Sequence, residues 1–256
     1  MRVTWPLAAR ILLAGTAASL LLSACTSDKP ADQQTITVSA AASLHGAFEQ
    51  IADEFQKEHP EIKIAGINYD GSSTLATQIV EGADVDVFAS ADERTMAEVT
   101  EAGFGHEPVI FASNTLVIAV PKDNPANIDS LSDLSGADTV LCASQVPCGN
   151  ASQQLLKNAG VSLKPVSEEQ NVTAVVQKVA AGEADAGLVY ASDVQDEPDL
   201  AAIVPEGAED VVNSYPIATL DDHPAAQEFL DFVIGERGQE ILTDYGFGSG
   251  AAQGNG

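Results

Sequence analysis

The chain has 256 residues, of which 38 are Asp or Glu and 11 are Lys or Arg, giving a formal charge of −27 at pH 7. Such acidity makes nucleic acid and anionic membrane surfaces poor partners, while the length suffices for one large domain or two lobes with separate cores. A small anion is repelled only at long range, because salt screens the field beyond about 8 Å. Affinity for one would have to come from local N–H and O–H donors.

The N-terminus reads as an export signal. Arg2 and Arg10 flank its start, residues 11–22 are apolar, and small residues lead to Cys25. The apolar run is short for a membrane span. Leu22-Ser23-Ala24-Cys25 matches a bacterial lipobox, which implies cleavage before Cys25 and a lipid on its thiol. Residues 1–24 are therefore expected to be a lipoprotein signal and 25–34 a polar tether.

Strand-like and helix-like patterns alternate from there on. Residues 35–40 are apolar at alternate positions, and Leu44, Phe48, Ile51, Ala52 and Phe55 then recur at helical spacing. A strand over 62–69 leads to a helix with Leu75, Ala76, Ile79 and Val80 on one face, ending at Gly82. Val85, Val87 and Phe88 mark a short buried strand, after which Asp92 caps a helix carrying Met96 and Val99. Residues 115–120 form an apolar strand stopped by Pro121, and 128–134 resemble a short capped helix.

The second half repeats the alternation. A strand over 139–143 enters a helix bearing Leu155 and Leu156 and ending near Gly160; Val172, Val175, Val176 and Val179 stripe another; 186–190 is a strand. Further strands are expected over 201–204 and 211–220, then a helix from Pro224 and a last one reaching Leu242, with a Gly-rich tail from Gly246. Strands alternating with helices of this length argue for an α/β fold with parallel sheets covered on both faces, and ligands in such sheets sit where the helices begin. The extended runs 112–120 and 211–220 lack Gly and could cross between two lobes.

Three strand-to-helix junctions share a composition. Ser43 opens one; Asp70, Gly71, Ser72, Ser73 and Thr74 lead into the second; Pro147, Cys148, Gly149 and Asn150 lead into the third, and none holds Lys or Arg. The first turn of a helix has unpaired N–H groups and a partial positive charge, so small residues there let an anion approach the backbone. Cys142 and Cys148 stand close enough in sequence to bridge across the third junction in an oxidising compartment, two buried free thiols being the alternative.

An enzyme reading finds little to build on. Neither Ser43 nor Ser72 sits in GxSxG and no SxxK is present; His45, two residues past Ser43, does not face it on a helix. His59, His106 and His223 are scattered and read as loop residues. Tyr190 and Tyr215 are a possible phenolate pair for ferric iron, and sulfate or phosphate is another possible ligand.

Ala40-Ala41-Ala42-Ser43-Leu44, Gly71-Ser72-Ser73-Thr74-Leu75-Ala76-Thr77-Gln78-Ile79, Asp86-Val87-Phe88-Ala89-Ser90-Ala91-Asp92, Val146-Pro147-Cys148-Gly149, Gly187-Leu188-Val189-Tyr190 and Tyr245-Gly246-Phe247 occur in this order. Together they closely resemble the molybdate-binding proteins of bacterial ABC importers. The resemblance implies a two-lobed periplasmic-binding-protein fold, each lobe a mostly parallel sheet flanked by helices, with two crossover segments. With the crossings set in the two Gly-free runs, lobe 1 is expected at 35–112 and 218–250 and lobe 2 at 113–217.

The resemblance further implies that Ser43 and Ser72 donate hydroxyl and backbone N–H groups to a tetrahedral oxyanion, Cys148 and Val172 backbone N–H groups, and Tyr190 its phenol. Val172 rests on the resemblance alone, and Ser73 and Thr74 are expected to stand behind these donors. The expected ligand is molybdate or tungstate, with no cofactor, no catalysis and no metal bonded directly to the protein. The expected setting is a monomer lipid-anchored at the outer face of the cytoplasmic membrane, serving an ABC permease. Asp70 conflicts with this picture, since a carboxylate two residues before Ser72 would repel the ligand if it faced the cleft.

Overall fold

Strand and helix alternate throughout the computed structural model of the chain, which describes residues 34–105, 107–195 and 197–250. The expected signal, Cys25 and the tether lie outside the described residues, except Gln34, which opens the first strand. That strand, β1 (Gln34–Ala41), lies between two parallel neighbours, β2 (Ile62–Asp70) and β3 (Val87–Ala89). A 3-10 turn at Ala42–Leu44 and α1 (His45–Glu58) follow β1, α2 (Ser72–Val80) follows β2, and α3 (Glu93–Glu101) follows β3. The Asp92 side chain accepts from Thr95 N–H at 2.8 Å, as a helix cap should.

The second lobe repeats the scheme. β5 (Thr139–Cys142) is parallel to β6 (Ser167–Glu169) and β7 (Ala186–Tyr190), with α4 (Pro147–Asn158) and α5 (Val172–Ala180) on the connections. The long β4 (Val109–Pro121) precedes this lobe; β8 (Leu200–Ile203) and β9 (Val212–Thr219) follow it. α6 (Pro224–Ile234), α7 (Glu236–Asp244) and β10 (Gly248–Ser249) then return to the first lobe.

The sheet order is β2-β1-β3-β9-β4-β7-β5-β6. The two long strands carry it from one lobe to the other: β4 pairs antiparallel with β9 over residues 109–115 and with β7 over 116–119, while β9 also pairs with β3. These are the two runs expected to cross.

The cores differ in kind. The first lobe packs an aromatic cluster, in which Phe55 meets Phe229 edge-on at 5.3 Å and Phe111 meets Tyr215 at 6.4 Å. The second is filled by Val, Leu, Ile and Ala, with Tyr190 its one buried aromatic. A small satellite core of Leu75, Ile79, Phe88, Met96 and Val99 joins α2 to α3.

One local expectation needs correction. Residues 128–134 do not form a helix; a 3-10 turn begins only at Asp133. The Asp133 carboxylate reaches back to Asp129 N–H, Ser130 N–H and the Ser130 hydroxyl at 3.0, 2.9 and 2.8 Å, which satisfies the backbone without helical bonds. In the Gly-rich tail, Gly248 and Ser249 pair with Ser113 and Ala112 of β4. Its entry needs Gly246, whose φ is +82°.

Candidate functional site

Four helix starts meet at one small cavity. Ala41, Ala42 and Ser43 come from the turn after β1, Gly71 and Ser72 from the start of α2, and Ala91 from the segment after β3. Val146, Pro147 and Cys148 come from the start of α4, Asn171 and Val172 from the start of α5, and Tyr190 from the end of β7. The structure thus brings Ser43, Ser72, Cys148, Val172 and Tyr190 to a single space between the lobes. Thr74 and Ser73 are not among the lining residues.

Every lining residue is uncharged. What they offer is donors. Among the described residues, the N–H groups of Ser43, Ser72, Cys148 and Val172 have no protein acceptor. Those of Ser72, Cys148 and Val172 belong to first helical turns, where no intrahelical acceptor exists. Pro147 at the start of α4 has no N–H, so Cys148 is the first residue there that can donate.

The hydroxyls are arranged as donors too. Ala91 N–H donates to Ser72 Oγ at 3.0 Å, which leaves the Ser72 proton free to turn elsewhere. Asn213 Nδ2 donates to the Ala91 carbonyl at 2.9 Å and to Tyr190 Oη at 3.0 Å. The Ala91 carbonyl can only accept, so the amide orientation of Asn213 follows, and Tyr190 keeps its own proton to give. Ser43 Oγ shares a 3.0 Å hydrogen bond with Tyr215 Oη. Burial pushes both phenols well above the ordinary tyrosine range, with nearby groups adding at Tyr190 and hydrogen bonds with Ser43, Asn114 and Tyr190 opposing it at Tyr215, so both remain protonated.

Asp70 turns away from the cavity. Its Oδ1 accepts from Gly71 N–H at 2.7 Å and from Asn171 Nδ2 at 2.9 Å, so the carboxylate ties the two lobes together at the rim. Gln145 O, in the second lobe, accepts from Ser73 Oγ at 2.8 Å and Arg94 Nη2 at 2.7 Å, both in the first. Ser73 is therefore a closure contact. The lobes approach so closely that a Cβ on Gly71 would lie 2.1 Å from Gln170 O. Gly71 has φ −58°, so close approach, not backbone conformation, requires glycine there.

Cys142 and Cys148 are joined in a disulfide, with Cα atoms 5.7 Å apart. The bridge fastens the end of β5 to the first turn of α4 and so holds the Cys148 amide in place. Closing so short a loop stabilises the fold by roughly 2 kcal/mol on the chain-entropy model. Behind Tyr190, Asp193 Oδ2 accepts from the Tyr190 N–H at 2.9 Å. Burial pushes the Asp193 carboxyl up to about 7, against the Tyr190 hydrogen bond and with Glu197 adding.

His45 stacks edge-on against Tyr69 with centroids 4.7 Å apart, and the Ser43 hydroxyl is engaged by Tyr215. Sequence reading missed Asn171, Asn213, Ala91 and the part played by Tyr215. Asn171 carries a legible signal, an Asn three residues before Ala174, whose N–H it caps at 3.0 Å. The others come together only through β9.

Residues 36–248 match the family of bacterial extracellular solute-binding proteins. The molybdate-binding protein ModA of Mycobacterium tuberculosis is 43% identical over 243 residues, covering 88% of this chain and 92% of its own length. Among solved structures, the periplasmic molybdate-binding protein of Azotobacter vinelandii superposes with a TM-score of 0.72 at 22% identity, over 83% of this chain and 98% of its own. The tungstate ABC transporter structure from Geobacter sulfurreducens gives 0.66 at 22% identity, over 82% and 98%. At that identity the two structures speak to the fold.

Proposed function

Because the chain belongs to the bacterial extracellular solute-binding proteins, with a molybdate-binding relative matching nearly its whole length, we propose that it captures molybdate or tungstate between its lobes for delivery to an ABC permease. The observation that carries this reading is the buried, uncharged cavity at four helix starts, lined by donors from both lobes. Ser43 and Ser72 act through hydroxyl and N–H groups, Cys148 and Val172 through N–H groups, and Tyr190 through its phenol. Hydrogen bonds to an ionised acceptor contribute about 1.5–3 kcal/mol each, so such a shell binds a dianion without Lys or Arg.

The shell also selects. A protonated phosphate needs an acceptor for its proton, and no carboxylate lines the cavity among the described residues, Asp70 being engaged at the rim. Metal–oxygen bonds in molybdate and tungstate are longer than the sulfur–oxygen bonds of sulfate, so cavity size separates them from sulfate. A ferric site would want His or carboxylate beside the phenolate, and among the described residues neither lines the cavity.

We place the lobe boundaries at 112/113 and 217/218, inside β4 and β9. The oxyanion is cargo, no reaction is catalysed, and no cofactor is required. A lipid on Cys25 would hold the monomer at the outer face of the cytoplasmic membrane, and the closed form would dock on the permease.

Titration calorimetry with molybdate, tungstate, sulfate and phosphate tests the reading. Tight heats are expected from the first two. Equal affinity for sulfate or phosphate would overturn the selectivity, and no heat from molybdate or tungstate would overturn the assignment.

A further inference from the structure

Away from the cleft, at the end of α1, three side chains of the first lobe turn their lone pairs toward one space. His59 Nδ1 lies 3.3 Å from Glu228 Oε2 and 3.7 Å from Glu61 Oε1, and the three ligand atoms fall within 4.8 Å of one another. Phe55 holds His59 in place. Its ring stacks on Phe55 with centroids 4.6 Å apart, and its backbone N–H donates to Phe55 O at 2.8 Å. Ile62 N–H returns to His59 O at 2.9 Å, a turn that sets Glu61 beside the ring, while Glu228 reaches in from α6.

The spacing is informative. A charge-assisted N–H···O⁻ bond closes to about 2.7–2.9 Å, shorter than either separation here. Ligand atoms bonded to a tetrahedral zinc at about 2.0–2.1 Å stand about 3.3–3.4 Å apart; His59 and Glu228 stand at 3.3 Å, and Glu61, at 3.7 Å from the ring nitrogen, has to draw in to complete the set. Among the described residues Glu61 and Glu228 have no Lys or Arg partner, whereas neighbouring Lys57 and Arg237 are taken by Glu54 and Glu240. One neutral imidazole and two carboxylates would balance a divalent ion, and the ring, 31% exposed, leaves room for water as fourth ligand.

We propose that His59 Nδ1, Glu61 and Glu228 form a binding site for a divalent transition-metal ion of the zinc class. Bound there, the ion braces the end of α1 and the start of β2 against α6, remote from the cleft. Imidazole favours zinc over calcium or magnesium, which take oxygen ligands.

The test is zinc chloride titrated by calorimetry into protein stripped with EDTA, in phosphate-free buffer, alongside thermal melts. Wild type is expected to take up one zinc and melt higher, with EDTA reversing the gain. His59→Gln and Glu228→Gln should each bind at least ~10-fold more weakly, the smallest loss typical even of outer-sphere changes. Cobalt(II) should show the visible bands of a tetrahedral site in wild type and not in His59→Gln. Circular dichroism checks that both variants fold; should one fail, the other carries the comparison. The proposal is overturned if wild type shows no zinc-dependent shift, or if the folded variants bind zinc as wild type does, the ion then being held by the acidic surface at large.

Discussion

Ser43 and Ser72, from the first lobe, are proposed to meet the ligand with side-chain hydroxyls as well as amides, whereas Cys148 and Val172, from the second, are proposed to meet it with main-chain amides alone. The first half is therefore written in residue identity and the second in backbone geometry. A hydroxyl disappears with one substitution, but an N–H survives almost any. The second lobe accordingly invests in fixing its backbone, through the Cys142–Cys148 disulfide, Pro147 at the start of α4 and the Asn171 cap. Tyr190 is the exception, the one proposed side-chain donor of the second lobe, and it is reached by Asn213 from the crossover strand β9.

The largest expected effect removes the second half from play without touching a donor. Gly71→Ala puts a methyl 2.1 Å from Gln170 O and holds the lobes apart. Losing the Cys148 and Val172 amides and the Tyr190 phenol, at about 1.5 kcal/mol or more each, should weaken molybdate binding by ~1,000-fold or more. Calorimetry would measure this, with a near-normal melting temperature showing that the lobes themselves are intact.

Next comes the asymmetry itself. Ser72→Ala deletes a hydroxyl and strands the Ala91 N–H, so affinity should fall by ~10- to 100-fold. Val172→Ala keeps its amide and should change affinity by less than ~3-fold, at the cost of some packing in the second core. Comparable losses in the two variants would break the distinction between halves.

Replacing Cys142 and Cys148 together with Ser should cost about 2 kcal/mol of stability, read from urea unfolding, while leaving molybdate affinity within a few-fold. A large loss of affinity would show that the brace also sets the amide's direction.

An effect on stability alone concerns pH. The Asp193 carboxyl titrates near 7 in the fold against an ordinary 3.8, so the folded state holds its proton more tightly than the unfolded chain. Its contribution is fully present below the unfolded value and is lost as pH rises through about 7. Asp193→Asn should flatten the stability profile across that window, measured as melting temperature against pH.

Local chemistry made much of this site legible. A small-residue entry, a Pro at the first helical position or an Asp before a helical stripe acts within one turn of chain, so the junctions at Ser43, Ser72 and Cys148 could be read directly. Val172 could not; on its own it is a stripe residue, and only the family resemblance singled it out. Residues 128–134 misled because Asp133 caps backward, a choice made by one rotamer and invisible to periodicity. Gly248 and Ser249 gained strand character only because β4 offered an edge.

The order of strands and helices, the neutral helix entries and the candidates for crossing between lobes are all readable along the chain, since each follows from short-range sterics and hydrophobic spacing. Tertiary structure alone decided how these parts combine. It turned Asp70 from a conflicting charge into a latch on Asn171, set Asn213 between Ala91 and Tyr190, and brought Gln170 O so near Gly71 that no side chain fits. Those outcomes depend on how two lobes meet across β4 and β9, and distances between segments so remote in the chain are set by packing, not by any neighbour in sequence.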